Sequence, residues 1–320
     1  MANQYNSFAP CAVLTFMPVA LQDASRIVGP ERGQATRSLD RQTLGAAALA
    51  GLLTSLALLV PADLCAQTKA GVPKLEDILK RTIDRAKWDE EQNFSGKYTF
   101  TQRGTLEEFD SKENVKRHEE RVHHVFPIDG EPYARLVQKD GKALSEKEQK
   151  SEQERERKFR QRLAEKKRKQ AQGEKDDADI ELNEELVSKY RFDLTGRDAV
   201  NARPAFILSF QPRSGDLPIK RKLDRLLNKV AGRVWIDEQD YEIVRVDLHL
   251  AENVSAWGGM LASVRKFLLR VDQAKVDDAA WLPSSIDAYI DGRILIKSLH
   301  LRLRQQNGEF RRIAPQSKGE

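Results

Sequence analysis

Only two of the 320 residues are cysteines, Cys11 and Cys65, and both precede the stretch in which folded structure is expected to begin. Disulfide staples and thiol nucleophiles are thereby excluded from the body of the chain. No glycine-rich phosphate loop follows a predicted strand, and no Gly-x-Ser-x-Gly elbow is present. Asp237, Asp240 and Asp247 gather around one predicted hairpin, where aspartate is favoured for turn reasons. The pattern implies no catalysis and no cofactor. His118, His123 and His124 lie beside Glu119 and Glu120. On a regular strand His123 and His124 point to opposite faces, and His118 lies about 20 Å from His124. They cannot share the tetrahedral ligand set zinc requires, so no metal is expected and all three read as surface residues. No repeat of fixed period occurs. Lys and Arg number 54 against 49 Asp and Glu, a net charge of only +5, so any basic patch must be local.

What is present begins with an apolar run, Leu44 to Val60, preceded by Arg37 and Arg41 and followed by Pro61-Ala-Asp-Leu-Cys-Ala66. A positive region, an apolar region and a small-residue exit form the layout of a secretory signal. Residues 1–66 are therefore expected to be an N-terminal extension with signal peptide, and the mature chain to begin at about Gln67. Two alternatives stand beside cleavage. One is lipidation at Cys65, against which Leu64 occupies a place usually held by a small residue. The other is retention as a signal anchor, since the run approaches the ~18–20 residues that span a bilayer. The forty residues ahead of the run also fit a start codon placed too early. Export predicts a periplasmic or cell-envelope location, where nucleic acid is scarce.

From Gly232 to Arg304 the chain reads as a train of antiparallel strands with one oily face. Val244, Val246, Leu248 and Leu250 alternate with Arg245, Asp247 and His249, the period of a half-buried strand. Phe267, Leu269 and Val271 repeat it, followed by Leu282, Ile286, Ala288 and Ile290. Asp291-Gly292 is expected to make a two-residue hairpin turn, and Leu299, Leu301 and Leu303 return on one side. Ahead of this train, Pro73 to Trp88 predicts an amphipathic helix with Leu75, Ile78, Leu79 and Ile83 on one face. Strands follow over Phe94–Gln102, Asn114–Phe126 and Tyr133–Gln138, and another ends at Phe206-Ile-Leu-Ser-Phe210. Short helices are expected over Ile180–Tyr190 and Ile219–Val230. Such strands predict an α+β fold: a curved, incomplete antiparallel β-barrel, or half-barrel, with covering helices.

A charged helical insertion interrupts this plan at about 140–190. Ser145-Glu-Lys-Glu148 is a capping box, and the helix it opens is almost wholly Glu, Lys, Arg and Gln as far as Gln172. Phe159 and Leu163, four residues apart, are its only large apolar side chains and should make one small contact. A mixed charge run of this kind is usually a solvated helix, with contact to an anionic membrane surface or an acidic envelope partner as the second reading.

The export signal, the leading amphipathic helix, the strand ending Phe100-Thr101-Gln102, and Val234-Trp235-Ile236-Asp237 ahead of a hairpin resemble the periplasmic lipoprotein carriers of the LolA/LolB type. Related RseB-like lipid-binding and envelope-stress-sensing proteins share that plan. The resemblance covers roughly Leu75–Gln138 and Arg191–Arg304 and departs from the pattern at the charged insertion. It implies one half-barrel domain over 67–320 with an apolar cavity for a lipid, a lipoprotein acyl chain or another hydrophobic ligand. The inward candidates are Tyr98, Phe100, Phe206, Leu208, Phe210, Val244, Val246, Leu248, Phe267, Leu269 and Ile286. Periodicity alone is equally met by a core packed solid by the same residues. Trp257, Met260 and Leu261 beside Gly258-Gly259 suggest a mobile rim or lid, or else a tucked strand corner. Binding by hydrocarbon transfer alone would be nearly indifferent to headgroup. The alternative is a ligand-free envelope interaction module that docks through the charged helix.

Overall fold

The computed structural model describes residues 73–172, 181–215, 217–219, 224–256, 262–294 and 297–314. The signal segment and the rim residues Trp257, Met260 and Leu261 lie outside them.

Helix α1 (Leu75–Gln92) starts after Pro73-Lys74 with Glu76 and Asp77 in its first turn, where carboxylates complement the helix dipole. It runs one turn past Trp88 and stops at Asn93, whose left-handed backbone (φ 47°) closes the helix. The Asn93 side chain accepts from the Gly96 amide at 3.3 Å and donates to the Gly130 carbonyl at 3.1 Å. One residue thus ends the helix, shapes the 3-10 turn Phe94–Lys97 and ties both to a hairpin tip.

Four strands follow: β1 (Tyr98–Phe109), β2 (Val115–Ile128), β3 (Glu131–Lys139) and β4 (Lys142–Ala143). Asp129-Gly130 (φ 52° and 87°) and Asp140-Gly141 (φ 48° and 72°) turn β2 into β3 and β3 into β4. Two successive positive φ values are what a tight antiparallel hairpin needs. Helix α2 (Glu146–Ala171) opens on the expected capping box, Ser145 with Glu148. The second half of the chain supplies α3 (Glu184–Ser188), β5 (Tyr190–Val200), β6 (Arg203–Pro212) and α4 (Asp224–Leu227). It continues with β7 (Val230–Asp237), β8 (Ile243–Leu250), β9 (Val254–Ala256), β10 (Ala262–Lys275), β11 (Trp281–Ile294) and β12 (Lys297–Arg312). Tyr190 belongs to a strand, so α3 is shorter than the expected Ile180–Tyr190 helix. Likewise only Asp224–Leu227 of the expected Ile219–Val230 segment is helical among the described residues.

All but β9 join one antiparallel sheet in the order β4-β3-β2-β1-β12-β11-β10-β8-β7-β6-β5, and β9 pairs with β10. Strand β1 pairs with the last strand, β12, from Tyr98↔Arg312 to Glu108↔Leu301. The two meanders are therefore closed onto each other at mid-sheet, while the ends at β4 and β5 do not meet. This is the α+β half-barrel: an open antiparallel sheet with helices against it. Its outer face carries cross-strand ion pairs: Arg270–Asp247 at 2.6 Å, Arg302–Asp287 at 2.7 Å and Arg265–Asp291 at 2.6 Å. Exposed pairs of this kind add at most about 1 kcal/mol each. Their larger effect is to mark that face as the wet one.

Helix α2 lies along β3. Its two apolar residues, Phe159 and Leu163, pack with Phe126, Ile128 and Tyr133 as their spacing predicted. The Tyr133 hydroxyl donates to Glu152 at 2.7 Å, and Arg155 donates to the Ala134 carbonyl of β3. The helix so covers a strand whose only outer neighbour is the two-residue β4, a recognised way to blunt a sheet edge.

Two expectations about strands are corrected. Asp291-Gly292 is not a turn: β11 runs on to Ile294, and Gly292 pairs with Leu299 on one side and Val264 on the other. Glycine is needed there for a close approach, because a Cβ would sit 2.5 Å from the Ser263 carbonyl oxygen. The alternation through β8 also breaks. Trp235 faces Arg245 and Ile236 faces Ile243, which leaves Val244 as a bulge residue. Val244 joins Trp235, Trp281, Val200 and Ala205 in a separate cluster, away from Val246 and Leu248.

Gly292→Ala should destabilise the protein by about 1–3 kcal/mol through overpacking between β10 and β11. Urea denaturation checks this; a change within about 0.5 kcal/mol, the range of ordinary surface substitutions, would contradict it.

Candidate functional site

The inner face of the sheet has two halves. In the first, spanning β6 to β11, Phe206, Leu208, Val246, Leu248, Phe267, Leu269 and Ile286 form one buried cluster with Val234, Ile236, Val271, Ala288 and Ile290. Phe210 packs against its margin. Helix α1 lies on this surface: Ile78 is wholly buried in the cluster, and Leu75 and Leu79 are packed against it, with Leu182 and Leu226 beside them. Seven of the inward candidates are thus brought together, under the helix whose apolar face sequence periodicity identified. Tyr98 sits apart with Phe94, Ala280 and Leu282, its hydroxyl donating to Asp277. Phe100 stacks on Phe310 at 5.2 Å. Val244 is removed from the group by the bulge.

A polar contact holds α1 down. Arg85 reaches Asp89 on its own helix and Glu242 beyond it, with Nε 3.1 Å from each carboxylate, and donates through Nη2 to the Ala279 carbonyl at 2.7 Å. Gln273, itself buried, donates to Glu242 at 3.0 Å and to the Ile243 carbonyl at 2.6 Å. Trp88 stacks on the Arg85 guanidinium at 4.4 Å. Burial, with the Glu242 carboxylate beside it, pushes the Asp89 carboxyl up to about 10. One arginine therefore serves two acidic side chains, and a proton is retained between them.

The second half of the inner face, on β12, β1 and β2, carries a polar patch, and strand register places it beside the first. Ile286 of the apolar cluster faces Gln305, which faces Gly104, which faces Arg121. One row away, Asn307 faces Gln102, which faces His123. Gln102 donates to Gln305 at 2.9 Å, Gln305 to Asn307 at 3.0 Å, and Asn307 to the Pro283 carbonyl at 2.9 Å. On the other side Ala288 faces Leu303, which faces Leu106, which faces Glu119. Glu119 is almost fully buried and is reached by Arg117 at 2.6 Å, by Arg121 and by Lys139 at 3.5 Å. Burial alone would raise its pKa; Arg121 and Arg117 outweigh that and hold it below the usual carboxylate range.

His118 and His124 are exposed as expected, but His123 is not a surface residue. It is buried on the inner face, and its Nδ1 has no hydrogen-bond partner among the described residues. Burial, with the positive charges of Arg155 and Arg121 nearby, pushes its pKa down to about 3, so the ring is neutral. This polar half was missed from the sequence. The signal available was small: Gln102, Gly104, Gln305 and Asn307 occupy positions where alternation with Leu106 and Leu303 calls for apolar side chains. Among the described residues no group of three His, Cys, Asp or Glu side chains could hold a metal ion. No helix among them is long and apolar enough to cross a membrane.

No family model matches the chain, and no curated protein matches it. Solved structures do. An outer membrane lipoprotein-sorting protein domain from Vibrio parahaemolyticus aligns over 76% of this chain and 95% of that chain, with 12% identity and a TM-score of 0.35. A LolA superfamily protein from Nitrosomonas europaea covers 76% of this chain and 95% of that chain, at 10% identity and a TM-score of 0.26. The MucA/MucB complex of Pseudomonas aeruginosa aligns over 74% and 98%, at 12% identity and a TM-score of 0.22. The half-barrel class itself rests on the strand order and register given above.

The Asp89 shift has a consequence for stability. Its pKa rises from 3.8 unfolded to about 10 folded, so its contribution is fully present below about pH 4 and is lost as pH rises toward 10. The wild-type melting temperature should therefore fall between pH 5 and pH 9, and Asp89→Asn, which keeps the hydrogen-bonding shape without the charge, should flatten that fall. Parallel melting profiles for the two proteins would show that Asp89 carries no such proton.

Proposed function

We propose that the chain is an exported envelope protein that binds a hydrophobic ligand without chemistry, as carrier or sensor, in a single half-barrel domain following residue 66. The ligand is a lipid, a lipoprotein acyl chain or a similar hydrocarbon. What supports this reading is one observation: a large apolar surface on a sheet that does not close, covered among the described residues chiefly by one amphipathic helix. Hydrocarbon displacing α1 would exchange one set of apolar contacts for another, so the net cost of opening is modest compared with exposing the face to water. The same exchange assigns α1 the role of cover and Phe206, Leu208, Phe210, Val246, Leu248, Phe267, Leu269 and Ile286 the role of binding surface. Tyr98, Phe100 and Val244 pack elsewhere and are not assigned to it. The rim role of Trp257, Met260 and Leu261 remains part of the proposal.

Fatty acids of increasing length test it by titration calorimetry. Each added methylene should strengthen binding by about 0.8 kcal/mol, roughly fourfold, until the surface is filled. Ile78→Ala should lower stability by about 2–5 kcal/mol and, by weakening the cover, speed ligand uptake. Affinity that is flat with chain length, or uptake unchanged in a folded Ile78→Ala protein, would contradict the reading.

A second reading, an interaction module, is favoured by a specific feature of α2. Phe159 and Leu163 clamp the helix to β3 while Arg162, Arg168 and Lys169 are exposed. That geometry suits docking to an anionic membrane surface or an acidic envelope partner. Because α2 also covers Tyr133 and β3, substitution is a cleaner test than removal of the helix. Arg162→Glu combined with Arg168→Glu and Lys169→Glu should abolish sedimentation with anionic phosphatidylglycerol vesicles at low salt. A wild-type protein that does not sediment with them would remove the membrane form of this reading.

A further inference from the structure

We propose that the polar half of the inner face is a headgroup subsite for an anionic amphiphile. The ligand's hydrocarbon would lie on the apolar half, and its phosphate or carboxylate would lie over Gly104, between His123, Arg121 and Gln305. This deepens the ligand-binding reading and rests on it.

Three independent features of the fold meet there. The first is continuity. The rows Ile286–Gln305–Gly104–Arg121 and Ala288–Leu303–Leu106–Glu119 run across hydrogen-bonded neighbours, so apolar and polar halves form one surface and not two sites. Directly paired residues lie about 4.5–5.5 Å apart, so two strands separate the last apolar residue of the Ile286 row from its guanidinium.

The second is a gap. Gly104 is the one position in its row without a side chain. A Cβ there would touch only the Arg304 carbonyl, at 3.2 Å, and no side-chain atom within 4 Å. A glycine inside a strand costs stability and often marks a place where another group approaches the backbone closely.

The third is an unsatisfied polar atom set among cationic side chains. Arg117, Arg121 and Lys139 converge on the single buried carboxylate of Glu119, and Lys139 is shared with Glu148 at 3.7 Å. Beside them the buried His123 keeps an Nδ1 with no partner among the described residues. A buried polar atom left unsatisfied costs about 1–3 kcal/mol, and the protein retains it at the point where the positive charges gather. Burial depresses the His123 pKa, and the charges of Arg155 and Arg121 lower it further, so the ring there is neutral. An anion with an acidic hydroxyl, such as a monoalkyl phosphate, answers both features: its charge meets the cations and its O–H can donate to a neutral imidazole nitrogen.

Dodecyl phosphate and dodecanol have the same hydrocarbon and differ only at the head, so titrating the full chain with each isolates the subsite. Wild type should prefer the phosphate by about tenfold or more, the equivalent of one charge-assisted hydrogen bond. Arg121→Gln should erase most of that preference while leaving dodecanol affinity unchanged. Should Arg121→Gln fold poorly with Glu119 left short of a partner, His123→Leu serves instead. It removes an unpaired buried nitrogen and should also reduce the preference without loss of stability. Inorganic phosphate alone should bind far more weakly than dodecyl phosphate; equal affinity for the two would mean a free-anion site and would overturn the assignment. Equal affinity for dodecyl phosphate and dodecanol overturns the headgroup subsite while the carrier reading stands. Failure of both amphiphiles to bind overturns the carrier reading and the subsite with it.

Discussion

A sheet that is apolar on one side and does not close must have that side covered, and among the described residues the cover is chiefly one helix. The seating of Ile78 among Phe206, Leu208, Phe267, Leu269 and Ile286 is the contact on which the rest depends. Each large apolar side chain on that face gains about 1.5–3 kcal/mol by leaving water, and that gain is realised only while α1, or something chemically like it, lies over them. The pairing of β1 with β12 holds the two meanders in one surface. Asn93 and Arg85 then fix where along that surface the helix rests.

The two anchors differ in kind. Ile78 is held by a force with no directional preference, which hydrocarbon can replace. Arg85 is held by the carboxyl groups of Asp89 and Glu242 and by a main-chain carbonyl, which hydrocarbon cannot replace. On the proposed reading such a cover would lift at its apolar end while the polar end stays engaged. Register places the polar patch of the inner face beside the apolar half, so on the proposed reading a ligand entering beneath the helix would meet hydrocarbon-like surface first and hydrogen-bonding groups second. The ion pairs of the outer face and the clamping of α2 on β3 keep the remaining surfaces wet or covered.

Much of this architecture was legible in the sequence because it rests on period. The alternation Phe267-Leu269-Val271, the helical spacing of Leu75, Ile78 and Leu79, and the Ser145–Glu148 capping box each encode a local structure that tertiary contacts did not override. Phe159 and Leu163 were readable as one contact because nothing else on that helix is apolar. What was not legible depends on register between distant strands. The bulge that turns Val244 toward Trp235 exists only in its pairing with β7. Gly292 imitates a turn glycine, and its true reason, the Ser263 carbonyl 2.5 Å from a would-be Cβ, belongs to the neighbouring strand. His123 looked like a surface histidine because its burial depends on the pairing of β2 with β1 and β3 rather than on its own segment. The polar half of the inner face was hidden for the same reason: Gln102, Gln305 and Asn307 become one hydrogen-bonded row only when the first strand meets the last.

The central claim is that the apolar inner face is a ligand surface and α1 its replaceable cover. Native mass spectrometry of residues 67–320, expressed in the periplasm and purified without detergent, tests it most directly, with the organic extract analysed for lipids. The account predicts a stoichiometric adduct bearing a hydrocarbon chain, or its formation on adding one. A bare protein mass that takes up neither fatty acid nor phospholipid would contradict it and leave the face as packed core.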